Sequence, residues 1–225
     1  MRVRNTLRRW HIWLGWIVGL PLLIWTATGL FMAAWPIETV RGEHLIADAP
    51  ALTTAAPPVA PAIGPRPVAS LSLEPRPDGA RWIVKYLDGG ARLADPATGR
   101  LLPPLTALDA RRIVEARYIG KASVSAVDRT SAEAPPIDLR RKVAAWRVSF
   151  DDGTRFYVDA GTGEILARRT RLWRVYDFMW GLHILDPGGR TDFNHFWLIA
   201  FAAISLVSIL MALVLLPLPR RRRKH

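Results

Sequence analysis

Cysteine is absent from the 225 residues. Disulfides, thiol nucleophiles, iron–sulfur ligation and zinc knuckles are therefore excluded, and a domain in an oxidising compartment must rest on its apolar core alone. Catalytic signatures are missing too: there is no glycine-rich phosphate loop, no H-E-x-x-H and no G-x-S-x-G. Charge is absent from two long runs, Ile12 to Ile37 and Phe196 to Pro219. Each exceeds the roughly 20 apolar residues that cross about 30 Å of hydrocarbon at ~1.5 Å per residue. Acidic residues are missing from both ends, since all 19 Asp and Glu lie between Glu38 and Asp192.

What the ends do carry is positive charge. Arg2, Arg4, Arg8 and Arg9 precede the first run, and Arg220 through Lys224 follow the second, whereas the middle is close to balanced within a net +12. Cations gathered at two membrane exits fit the positive-inside rule and anionic lipid headgroups, and argue against a nucleic-acid partner. Trp10, Trp13, Trp16, Trp35 and Trp197 flank the runs as an interfacial belt. The first run is about twice the length of a signal-peptide core, so an uncleaved signal-anchor is expected. The expected layout is a cytoplasmic basic tail over 1–9, a transmembrane helix over 10–35 and a second over 193–217. A second cytoplasmic tail follows at 218–225, so both termini are cytoplasmic and the middle lies outside the inner membrane. Gly15 and Gly19 form a small-xxx-small pair that suits either packing against this chain's second helix or a homodimer seam. Pro21 predicts a kink.

Within the middle, residues 36–69 are rich in Ala and Pro and predict a semi-rigid linker. The segment from 70 to 170 repeats itself. Arg81–Leu102 (RWIVKYLDGGARLADPATGRLL) and Ala145–Leu166 (AWRVSFDDGTRFYVDAGTGEIL) align without a gap, Trp82 on Trp146, Asp88-Gly89 on Asp152-Gly153 and Thr98-Gly99 on Thr162-Gly163. Alternating apolar residues broken by Asp-Gly predict one β-hairpin in each copy. Leu105–Tyr118 carries helical spacing with Asp109 in its first turn. Residues 171–192 read as an interfacial helix and turn. The fold class expected is membrane α plus α+β: two transmembrane helices flanking a domain of repeated hairpins with at least one packed helix.

The helix, strand and hairpin closing on D-x-x-T-G-E-I-L resemble the PepSY domain, a module of secreted metallopeptidase propeptides. The flanking WHIWLGWIVGL run and Leu182-His183 resemble PepSY-associated transmembrane proteins. The resemblance covers nearly the whole chain. It implies a periplasmic PepSY domain acting as a binding module on a protein or iron complex, with a link to iron uptake. It also implies a haem-bearing alternative, because longer four-helix relatives resemble ferric-siderophore reductases. Two spans supply only half of that core, so haem b would require a dimer or hetero-complex. Inhibition of a periplasmic protease is a third implication.

His11, His183 and His195 sit at the mouths of the spans, where an ionisable side chain is costly and often functional. Under the haem alternative they are the axial ligands. His11 and His195 are a bilayer apart and cannot share one iron, which leaves His183 with His195, or symmetric pairs across a dimer. An interfacial histidine also simply bridges water and hydrocarbon. His183, Asp186, Asp192 and His195 flank a Pro-Gly-Gly turn and have the chemistry of a metal site. The competing reading makes the turn a pair of caps, with Asp192 or Asn194 as N-cap of the second span and Asp186 stopping the helix before it.

Overall fold

The computed structural model describes residues 2–216, so the basic tail expected at 218–225 lies outside the described residues. The chain divides into two compact units. One holds the N-terminal stretch through Pro36 together with the stretch from Val175 onward; the other is Ile37–Arg174.

In the first unit, helix α1 (Arg2–Ala33) begins earlier than the apolar run alone implies, takes in the basic residues and continues through Pro21. Helix α5 (Phe196–Leu215) forms the second apolar helix. Both are long and apolar enough to cross a membrane, with mean hydropathy 1.7 in an 18-residue stretch of Val3–Ala33 and 2.8 in one of Phe196–Leu215. The two pack on each other. Leu198, Phe201, Ser205, Ser208, Ala212 and Leu215 are the less exposed positions along one side of α5, at alternating three- and four-residue steps. That spacing is the seam of a coiled-coil pair. Ser205 and Ser208 are its buried small residues, and Val18 and Thr28 are buried on α1. Small residues let the two backbones approach closely. Helix α4 (Arg171–His183) begins in the second unit and ends in the first.

The second unit opens on a single-turn helix, α2 (Ile37–Val40), and holds two antiparallel sheets. In the first, β1 (Val68–Glu74), β2 (Arg81–Tyr86) and β3 (Ala91–Ala94) are adjacent in order. In the second, β4 (Val124–Thr130), β5 (Ala145–Phe150), β6 (Arg155–Asp159) and β7 (Ile165–Arg169) follow the same rule. Both Asp-Gly turns close hairpins, with Gly89 at φ 84° and Gly153 at φ 82°, a region glycine enters without a Cβ penalty. The structural repeat is larger than the sequence repeat. β1 pairs with β2 from Val68 on Tyr86, and β4 with β5 from Val124 on Phe150, each with an irregularity right after that first pair. Only the second copy continues into a full β7. In the first, Leu101 makes a single bridge to Ala94, and Pro103-Pro104 then end the ladder because proline has no N–H to donate.

Helix α3 (Ala107–Glu115) opens on a capping box in which Thr106 and Asp109 bond each other's backbone N–H. Its buried Ala110 and Val114 pack on Val148, Phe150, Phe156 and Val158 of the second sheet. The opposite face of that sheet is covered by Leu139 over Ala145, Tyr157 and Ala167. There the Tyr157 hydroxyl donates to Asp138 Oδ1 at 2.7 Å. Burial, then that hydrogen bond, pushes the phenol well above its ordinary range.

The Ala/Pro segment is not a free spacer. Val59 N–H donates to Pro96 O and Ala62 N–H to Gly99 O, each at 2.8 Å, and Trp82 Nε1 donates to Val59 O at 2.8 Å. Prolines hold this stretch extended, as composition requires, and an extended backbone still offers the N–H and C=O groups that strap it to the turn after β3.

Candidate functional site

His183 ends α4 in a socket on α1. Its ring stacks on Trp25 with centroids 4.6 Å apart and planes at 19°. Gly29 makes the room, since a β-carbon there would come within 3.1 Å of His183 Cε1. His183 Nδ1 lies 3.0 Å from Trp25 O and 3.1 Å from Thr28 Oγ1. A carbonyl only accepts, so Nδ1 carries the proton and, in the neutral ring, Nε2 keeps its lone pair. Backbone-oriented Nδ1–H with a free Nε2 is the state in which histidine serves as a ligand.

His195 is held differently. Its Nε2 donates to Ile184 O at 2.8 Å, and its Nδ1 accepts from Leu198 N–H at 3.3 Å. His195 is therefore the N-cap of α5, the place expected for Asp192 or Asn194. Asp192 instead accepts from Asn194 N–H at 2.9 Å, too early to reach a helix that starts at Phe196. With both ring nitrogens of His195 taken by backbone, His183 and His195 do not fit as paired axial ligands of a haem in one protomer.

The turn between them is built around Asp186, whose carboxylate accepts from the N–H groups of Gly189, Thr191 and Asp192 at 2.9, 3.1 and 3.3 Å. Those donors, Gly189 foremost, hold its pKa below the usual carboxylate range. Arg190 locks the turn to α4 by donating to Asp177 Oδ2 at 2.9 Å. His183, Asp186, Asp192 and His195 do not gather as ligands: among the described residues there is no group of three His, Asp or Glu that could hold a metal ion. Backbone N–H groups engage both oxygens of Asp186 and one of Asp192.

The remaining helix residues lie apart from this cluster. A β-carbon on Gly15 or Gly19 would meet nothing within 4 Å, so neither glycine serves close packing within the chain. His11 Nδ1 is buried and has no hydrogen-bond partner among the described residues.

A second site emerges in the sheet-bearing unit, where a cavity of about 500 Å³ opens between the first sheet and α3. Its floor is apolar: Leu93, Leu102, Leu105 and Ile113. Its rim is charged, with Arg76, Arg81 and Arg112 against Asp78 and Asp109. Arg76 donates to Thr162 O at 2.8 Å and Gly163 O at 3.1 Å, with Glu74 3.7 Å away. Burial lowers its pKa, against the opposing pull of Glu74, Glu164 and Asp78.

A family model described as the PepSY-associated TM region matches residues 8–225. The chain belongs to that family. The matched region takes in nearly all of α1, both sheets and α5, and with two apolar helices it makes this PepSY-associated protein a membrane protein. Neither curated proteins nor solved structures give a match. The cavity escapes a reading of the PepSY-associated sequence because Arg76 and Arg112 look there like ordinary surface cations. The aligned turns give the one available signal, since Thr162-Gly163 supplies the carbonyls that hold Arg76.

Proposed function

We propose that this PepSY-associated protein is a membrane-anchored binding module, whose two helices hold a periplasmic domain at the bacterial inner membrane. The observation that carries the reading is the cavity of about 500 Å³, within the size range of pockets that take small molecules and apolar-floored as such pockets are. Its partners in this reading are periplasmic, a protein or an iron complex included. Cationic ends and an acid-bearing middle support cytoplasmic termini.

The lack of native cysteine makes topology directly testable. Single substitutions Ala97→Cys and Asn5→Cys are both at exposed positions. An impermeant thiol reagent should label Ala97→Cys in spheroplasts and Asn5→Cys only after lysis; the reverse pattern contradicts the orientation. Binding is tested by titrating the full chain in nanodiscs with hexan-1-ol while following methyl resonances. Saturable shifts at Ile113 and Leu105, with Leu139 on the far side of the second sheet unmoved, are expected.

A second reading, haem held across a homodimer, is favoured by the free Nε2 of His183, the buried and unpartnered Nδ1 of half-exposed His11 and the open Gly15–Gly19 face. A Soret band that shifts on dithionite reduction, lost in His183→Ala or His11→Ala, would support it. A protein colourless after added haemin would remove it.

A further inference from the structure

We infer that the cavity takes an aliphatic carboxylate, its apolar tail on the leucine–isoleucine floor and its carboxylate at Arg112 and Arg76. This deepens the binding-module reading and rests on it.

The rim groups differ in how far they are already engaged. Arg81 donates to Asp78 Oδ2 at 2.7 Å and to Ala80 O at 2.8 Å, so this pair satisfies itself. Asp109 closes the capping box, accepting from the Thr106 backbone N–H at 2.9 Å and from its hydroxyl at 2.6 Å. Those bonds, the hydroxyl first and Arg112 only weakly, hold its pKa below the usual carboxylate range. One oxygen of each aspartate, Oδ2, is thus engaged by Arg81 or by Thr106. Arg112 is exposed at the rim, and its guanidinium makes no hydrogen bond among the described residues. Arg76 is largely buried and meets two neutral carbonyls and one carboxylate at 3.7 Å.

The two cations with unused capacity thus border the same apolar floor. Arginine's planar donor fork matches a carboxylate, and a hydrogen bond to a charged group is stronger than one to a neutral group. Asp78, Asp109 and, at Arg76, Glu74 balance the three arginines, so the rim suits a monoanion better than a phosphate dianion. The floor in turn rewards burial of methylenes, which leave water for an apolar surface. A free short-chain acid and the carboxyl end of a peptide with an aliphatic last residue share this chemistry.

The test uses the full chain in nanodiscs, with Ile113 and Leu105 methyl shifts titrated against hexanoate, hexan-1-ol, hexylammonium and N-acetyl-leucyl-leucine. Hexanoate should bind about tenfold tighter than hexan-1-ol, as one charge-assisted contact provides, and hexylammonium should bind most weakly. Arg112→Gln should bring hexanoate to the level of hexan-1-ol while leaving hexan-1-ol unchanged, and Arg112→Lys should restore part of the difference. An unaltered ligand-free methyl spectrum verifies that each variant is folded. The dipeptide binding tighter than hexanoate supports a peptide end as the source, and weaker binding supports a free acid. Equal saturable binding of hexanoate and hexan-1-ol overturns the carboxylate assignment but leaves the pocket. No saturable shift with any probe overturns the pocket reading as well.

Discussion

Replacing Phe156 by alanine should cost the sheet-bearing unit about 3–5 kcal/mol, the usual range for emptying a buried aromatic site. Phe156 is fully buried on β6, beneath Ala110 and Val114 of α3. It meets Phe150 at 5.6 Å and the edge of Tyr118 at 5.8 Å between ring centroids. These neighbours sit on a strand, a helix and a loop, so no single one can move in to fill the space. A small domain is stable by only about 5–15 kcal/mol, so the loss is a large share of the total. It should also reach the cavity, because the helix seated on Phe156 carries Arg112 and Ile113. Denaturant unfolding of the full chain, followed by fluorescence of Trp82 and Trp146, is the measurement. A midpoint near wild type would mean that α3 is not held by this core.

Arg190→Met should loosen the turn between α4 and α5 by about 3 kcal/mol. That is the lower end of the range for a broken buried ion pair, since 21% of the Arg190 side chain is exposed while Asp177 keeps only 5%. The damage comes from stripping the guanidinium from a buried carboxylate rather than from losing a favourable contact. Asp177→Asn combined with Arg190→Met should therefore recover much of the loss. Hydrogen exchange at Gly189, Thr191 and Asp192, whose N–H groups bond Asp186, reads the effect locally. Equal acceleration in the single and double variants would show that the pair carries no such weight.

The parts of this protein that are legible in sequence are those governed by local chemistry. The two apolar helices show through the absence of charge, and the hairpins through Asp-Gly turns whose backbone only glycine adopts cheaply. The helix on the sheet shows through Asp109 and the spacing of Ile113 and Val114. What depends on tertiary placement does not show. β1 and β4 are counterparts, but unequal connections separate them from their hairpins, six residues from Glu74 to Arg81 and a much longer loop from Thr130 to Ala145. The alignment therefore stops at the hairpins. Proline composition marks the strap at 59–62 as extended without revealing that its backbone groups bond the turn after β3.

The candidate sites follow the same division. His183 stands out because a histidine beside a membrane helix is costly, but the Gly29 seat that receives it lies on another helix, far away in the chain. Asp192 looks like a cap because aspartate often is one, and the actual helix start, three residues later than that requires, hands the role to His195. Arg76 and Arg112 become a pair only when the first sheet and α3 face each other across one cavity.

The most direct test of the binding module compares the wild type with Ala116→Trp, which places an indole in the cavity from its α3 side. The wild type should show saturable Ile113 and Leu105 methyl shifts on titration with hexan-1-ol, and the variant, with its Leu139 resonance unchanged, should show none. Shifts that persist in the filled variant, or that rise linearly without saturating in the wild type, would contradict the claim that this domain binds ligand there.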